Sequence, residues 1–427
     1  MDHRGKVDQD TIIRARNILL ASGRRTPREE VDAYRVLARV SPASYLPRLV
    51  NALLRLTYDT DSGRRHPASL ALCEEAVAVA RTVDPAEPAR TDLLYRALDA
   101  CQRELYDVGR RAEGLALRAE MLSIGRAQAE RSGSPVVRGL RDWAAGCSEE
   151  GRYAEAADAL TEWVAAILPD GPSDGSLAWS LVEWIAALHD AGRPDEALAA
   201  YRTLVGMEAD EAVGDRGSIV CHLYSLIGYA QLLDTYDRGS QAAAVRQEAL
   251  AVLTELDATG ERKSWSGYQA SFWAVLLSCS GADSERPAAG EPRPPFGATP
   301  MGWSPDVKRR YADSRATLRA EVDALAARAD ADPDRHLAEL VRLQRVLTVR
   351  SVVHWVERTH LFAERVSPLF GEGVGLARRL HEHDPGRGAR LLAAVLVDRS
   401  TFRAAVGEFG PALDDFREAL RHLGEAC

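Results

Sequence analysis

Four clusters are the places where this sequence could do chemistry. Glu357-Arg-Thr-His360 is a single E-x-x-H pair. Helical bundles that hold metal with this pair carry it twice, with further carboxylates. No second copy is present, so the pair reads as helix surface. His381-Glu-His383-Asp384 offers two imidazoles and two carboxylates, but Pro385 follows at once and no partner stands at ligand spacing. It reads as the end of a helix, where the dipole favours histidine. Gly371-Glu-Gly373-Val-Gly375 has neither a preceding strand nor a lysine, and is expected to be a loop rather than a phosphate cradle. Trp303, His354, Glu357 and His360 would be the residues of an enzyme site in 258–390, but no spacing compels them to meet. Neither a P-loop nor a G-x-S-x-G elbow occurs. The expectation is a protein without catalytic residues, cofactor or metal site.

What positions side chains here is a repeat. An apolar helix, a Gly or Asp turn and a second helix recur, most clearly in GRRAEGLALRAEML (109–122), GRYAEAADALTEWV (151–164), GRPDEALAAYRTLV (192–205) and GEFGPALDDFREAL (407–420). Gly109, Gly151 and Gly192 stand 42 and 41 residues apart, and Asp237 follows 45 later. A steady period of this kind is the signature of stacked supersecondary units. Glycine at each turn can close the first helix, and acidic residues such as Glu155, Asp195 and Glu196 suit the first turn of the second. Upstream, helices are expected over 7–22 (ended by Gly23), 28–40, 41–59 and 67–85. Downstream they are expected over 264–278, 306–329 and 336–366, the last as one long helix or two abutting ones. Residues 281–305, with six prolines and little apolar material, read as a linker or exposed loop. The domain expectation is thus 1–280, the linker 281–305, and a C-terminal region 306–427.

Composition sets the class. Of 427 residues, 46% are hydrophobic and 6% aromatic, and the abundance of Ala, Leu, Arg and Glu favours helix throughout. The net charge of −9 argues against a nucleic-acid partner. Six scattered cysteines (73, 101, 147, 221, 279 and 427) form no C-x-x-C pair, as in a reducing, cytoplasmic setting. The first residues carry no apolar core of a signal peptide, and no uncharged apolar run reaches 18 residues, so no membrane partner is expected.

The hairpins resemble tetratricopeptide (TPR) repeats, in a long-helix variant found in actinobacterial arrays. Small residues where neighbouring helices of that family approach are matched by Ala144 with Ala156, Ile185 with Ala197, Ala230 with Ala242, and Ser400 with Ala412. Gln102 and Gly114 fill those places less well. Leu160, Tyr201 and Phe416 match the large position that follows, whereas Arg118 and Arg246 depart from it. The resemblance spans about 28–257 and 391–424 and implies an all-α, right-handed α-solenoid. It also implies that the first helix of each pair lines a concave groove. Projected on this chain, the lining is Arg96, Asp99, Arg103 and Tyr106, then Arg138, Arg141 and Ala145, then Trp179, Val182, Ala186 and His189, then Tyr224, Ile227 and Gln231. Arginines beside aromatics would suit a protein or peptide partner of acidic character. Of Trp179 and Trp184, five residues apart on one helix, one is expected to face solvent or a ligand.

Two functional readings follow. The first is a scaffold or adaptor that holds a peptide segment in the groove. The second is a sensor gated by a peptide or small ligand. The aromatic C-terminal hairpin, with Phe402, Phe409 and Phe416, would cap the array or meet a second copy in a homodimer.

Overall fold

The computed structural model describes residues 8–20, 25–60, 67–170, 176–213, 218–262, 267–285 and 291–426. Among them the regular secondary structure is helical. Gly23, Cys427 and Pro287 of the proline run, which figured in the expectations above, lie outside the described residues. The chain divides into two compact units. Unit 1 comprises residues up to Gly146 together with Ser304–Asp306, and unit 2 comprises 147–303 and 307–427. The chain thus passes between the units after Gly146 and again on either side of Ser304–Asp306.

Unit 1 stacks α1 (Gln9–Leu20), α2 (Pro27–Val40), α3 (Pro42–Thr60), α4 (Pro67–Thr82), α5 (Arg90–Asp107) and α6 (Arg111–Ser132), each against the next. α7 (Leu140–Glu149) carries the division between the units. The capping box at Thr26 and Glu29 starts α2, satisfying two otherwise orphaned amides. The core runs along the stack through Val50, Leu53, Cys73, Ala76, Leu98 and Met121. Each fully buried Leu contributes about 1.5–3 kcal/mol, whereas an exposed ion pair contributes about 1 kcal/mol at most. The apolar stripe, not the surface charge, holds the array.

Unit 2 continues with α8 (Tyr153–Ile167), α9 (Ser176–Asp190), α10 (Pro194–Val213), α11 (Ile219–Thr235), α12 (Gly239–Thr259) and α13 (Gly267–Gly281). After a non-helical segment come α14 (Pro305–Ala331), α15 (Pro333–Trp355), α16 (Thr359–His383), α17 (Pro385–Ala405) and α18 (Phe409–Leu423). α13 packs on α11, α15 and α17, and α18 packs on α12, so the last hairpin rejoins the stack directly. Phe402 and Phe416 are buried inside unit 2, which removes them as a contact for a second copy. The turns behave as the spacing implies. Gly109, Gly151, Gly192 and Gly407 have φ of 80°, 73°, 69° and 82°, and Asp237 takes the same left-handed turn at 57°, a conformation Asp tolerates better than most residues.

The small residues at close approaches, from Ala144 and Ala156 to Ser400 and Ala412, are all buried. Two expectations fail. Gly371–Gly375 is not a loop but lies within α16. Val366, Leu369, Phe370, Val374, Ala377 and Leu380 are all buried at helical spacing, and that burial outweighs the ~1 kcal/mol each glycine costs a helix. Nor is 291–303 an exposed linker. Phe296, Ala298 and Trp303 are buried with Val307 and Tyr311 in an aromatic cluster, in which the Trp303 and Tyr311 rings lie 5.1 Å apart, edge to face. The 336–366 segment resolves into α15 and α16, broken at Val356–Arg358.

Candidate peptide-binding site

The expected groove residues fall in both units. In unit 1, α5 presents Arg96, whose guanidinium lies 3.1 Å from Asn51 Oδ1, and Arg103, 2.7 Å from Asp99. Arg138 stands 3.1 Å from Asp92, with its guanidinium 3.6 Å from the centre of the Tyr95 ring. Arg141 is exposed on α7. Tyr106 is not on this face. It is fully buried, with the guanidinium groups of Arg111 and Arg118 over its ring at 4.9 and 4.4 Å. Gly114 faces the ring edge, where a Cβ would come within 2.9 Å.

In unit 2, Val182, Ala186, His189 and Gln231 line one cavity of about 250 Å³, and Ile227 and Gln231 line a second of about 590 Å³. The two share Gln231, Asp234 and Ala394. Tyr224, expected beside them, is buried in the core instead, and burial raises its phenol well above the usual range. Trp179 is half-buried, edge-on to Tyr268 and Phe272 with centroids 5.5 Å away in each case. Trp184 is also half-buried and donates to Thr161 Oγ1 at 2.8 Å. Neither indole stands out as a ligand platform.

The smaller cavity is lined by polar and apolar side chains together. His189 Nδ1 lies 2.6 Å from Tyr236 Oη. Arg345 is held by Asp398 at 2.6 Å and by the Ser280 carbonyl at 3.1 Å. Cys279 also lines it, and burial pushes that thiol up to about 12. With Cys73 up to about 12 and Cys101 up to about 11 for the same reason, these are packing residues rather than nucleophiles. The larger cavity is lined by apolar Ile227, Ala230, Ala393, Val397 and Phe416 and by charged Asp234, Asp237, Arg246, Arg390 and Glu425. Buried Arg246 reaches Asp234 at 2.5 Å and Glu425 as well.

Sequence reasoning missed the segment that reaches this face. Residues 291–295 run outside any helix, Arg293 binds Asp190 at 2.8 Å, and Phe296 lines the smaller cavity. The visible signal was an arginine and a phenylalanine inside an otherwise apolar-poor proline run.

No protein-family profile matches the chain, and no curated protein matches its sequence. Among solved structures, similarity is found to the nearly identical TPR-like repeats of a Podosopora anserina protein assigned as a kinesin light chain, with 16% identity over 51% of this chain and 99% of that one and a TM-score of 0.39. BtubC (BKLC) from P. vanneervenii matches at 14% identity over 59% of this chain and 95% of that one, TM-score 0.39. Naa15/Naa10 bound to HypK-THB matches at 12% identity over 98% of this chain and 64% of that one, TM-score 0.35.

The remaining candidates are occupied within the fold. Trp303 donates its indole N–H to the Ala298 carbonyl at 3.0 Å. His354 packs edge-on to Trp355 at 5.0 Å, and desolvation, with Arg315 and Arg358 nearby, pushes it down to about 4. His354, Glu357 and His360 line neither of the two cavities that meet at Gln231. His381 lies edge-on to His422 at 4.7 Å, and His383 Nε2 is 2.7 Å from Asp334, so the two imidazoles serve different contacts. Among the described residues no helix is long and apolar enough to cross a membrane.

Proposed function

We propose that this protein is a non-catalytic helical-repeat scaffold that holds an extended segment of a protein partner in the paired cavities of unit 2. The observation that carries this reading is their junction at Gln231. The Gln231 carboxamide is half-buried there and has both donors and acceptor available to a peptide backbone. The apolar lining on either side would take alternate side chains, the usual composition of a small-ligand or peptide site. The arginines of unit 1 form a separate contact surface for an acidic segment. Their present carboxylate pairs are exposed, worth at most about 1 kcal/mol each, so a partner's carboxylates can exchange with them.

Peptides selected from a random display library on the intact chain test the reading. Their affinity, measured by fluorescence anisotropy, is expected to fall at least tenfold, about 1.4 kcal/mol, on Gln231→Arg with helicity unchanged. Selected peptides that bind wild type and variant equally would overturn it.

A further inference from the structure

We infer that residues 291–298 are an internal competitor for the peptide site of unit 2, and that the partner segment they exclude carries arginine, an aromatic side chain three residues later, and then glycine. This rests on the reading of unit 2 as a peptide site.

Three consecutive features of the segment match three features of α9. Arg293 and Asp190 pair at 2.8 Å with side chains only 15% and 12% exposed. A charge pair this far out of water is not a casual surface contact, because either partner left alone is costly. Phe296 comes next and shares the smaller cavity with Val182, Ile185 and Ala186. Gly297 then takes φ +98°, and a Cβ there would come within 2.6 Å of Ala186 Cβ and 3.0 Å of the Val182 carbonyl. The backbone touches the helix at a place where only glycine fits. Pro294 and Pro295 fix φ between the arginine and the phenylalanine, so ordering this stretch costs little entropy. Charge, ring and missing side chain thus form a recognition sequence already seated.

The segment fills only one end of the site. Beyond Phe296 the lining runs through Gln231 into the larger cavity, to which 291–298 contributes no residue. A tethered segment acts at an effective concentration in the millimolar range, so an external peptide sees its affinity reduced by the fraction of molecules in which the site is free.

The probe is the synthetic peptide EPRPPFGAT, residues 291–299, carrying a fluorophore and added to the full chain. Arg293→Ala/Phe296→Ala is expected to bind it at least tenfold more tightly than wild type. Adding Asp190→Ala to that background should remove the gain. Phe296 also packs on Trp303 and Tyr311, so Arg293→Ala alone is the companion variant, leaving that cluster whole and giving a gain of about threefold in the same direction. A folded variant, with wild-type circular dichroism and melting, that binds the peptide no better than wild type overturns the proposal. So does binding indifferent to Asp190→Ala. If display-selected peptides still bind and lose affinity on Gln231→Arg, the site stands and only the competitor falls; if they do not, both fall.

Discussion

The two candidate faces come from the same repeat positions and have been put to different uses. In unit 1 the face is an arginine surface tied to nearby oxygens, with its tyrosine withdrawn into the core. In unit 2 the equivalent positions are Val182, Ala186 and Gln231, which line cavities, and a segment of the chain lies on one end of them. A repeat fixes where side chains emerge but not what they do there. The neighbour that covers a position decides that. The same contrast appears inside the hairpins. Gly114 of unit 1 approaches the ring edge of Tyr106, with a Cβ reaching 2.9 Å, while a Cβ at Gly228 of unit 2 would overlap Tyr201 Oη outright.

The largest effect is expected from breaking the second of these approaches. Gly228→Ala forces α10 and α11 apart and should cost about 3 kcal/mol, at the upper end of overpacking losses, read as a shift in denaturation midpoint. The overlapping atom is the hydroxyl oxygen, so Tyr201→Phe in the same chain should recover most of the loss. Gly114→Ala should cost clearly less. Equal losses at the two glycines, or no recovery by Tyr201→Phe, would show that the helix spacing is not what differs between the units.

Next in size is a carboxyl in the core of unit 2. Glu208 is 3% exposed, and desolvation, aided by Glu211, pushes it from 4.5 up to about 8. A raised acid in the folded state means the unfolded chain releases the proton first. Stability should therefore be unaffected below pH 4.5, then fall as pH rises toward 8. At about 1.36 kcal/mol per pKa unit of difference the full shift sets a ceiling of roughly 5 kcal/mol, which relaxation and water penetration around a buried carboxylate reduce; Glu208→Gln should gain about 2 kcal/mol at pH 8 and nothing at pH 4. A gain independent of pH would assign the effect to packing.

How much of this was legible follows from particular residues. The turns at Gly109, Gly151, Gly192 and Asp237 followed from spacing, because local backbone needs set them, whereas the small residues at close approaches followed from the resemblance to TPR hairpins. The departures from the repeat were legible as departures only. Arg118 turned out to be buried, bonded to Gln102 at 3.0 Å and Ser304 at 3.0 Å, and Arg246 to be paired with Glu425. Each large apolar slot given to arginine is where a segment from more than 170 residues further along the chain arrives, and nothing local announces such a partner. A subtler pattern was on the page. G-R-x-x-E occurs at 109–113, 151–155 and 192–196, and each arginine grips its own Glu, at 2.5 Å for Arg110 and Arg152 and 2.6 Å for Arg193. The proline run was read by composition, which cannot say that Phe296 and Trp303 would find each other.

The smallest effect on stability, and the most informative about unit 1, is expected from Arg103→Glu with Arg141→Glu. Both residues are exposed on helices, and the Arg103–Asp99 pair spans one turn at 2.7 Å with the arginine 53% exposed. Such i,i+4 pairs are worth about 0.3–0.5 kcal/mol, so thermal stability should move by less than about 1 kcal/mol. Reversing two charges changes the face by four units, in a region where Asp92 and Asp99 already offset part of the arginine charge. An acidic partner segment should then lose most of its affinity, and the loss should shrink as salt rises, because exposed charges are screened within about 10 Å at 0.1 M. A partner that binds the double variant as it binds wild type, at low salt and high, would leave unit 2 as the whole of the binding site.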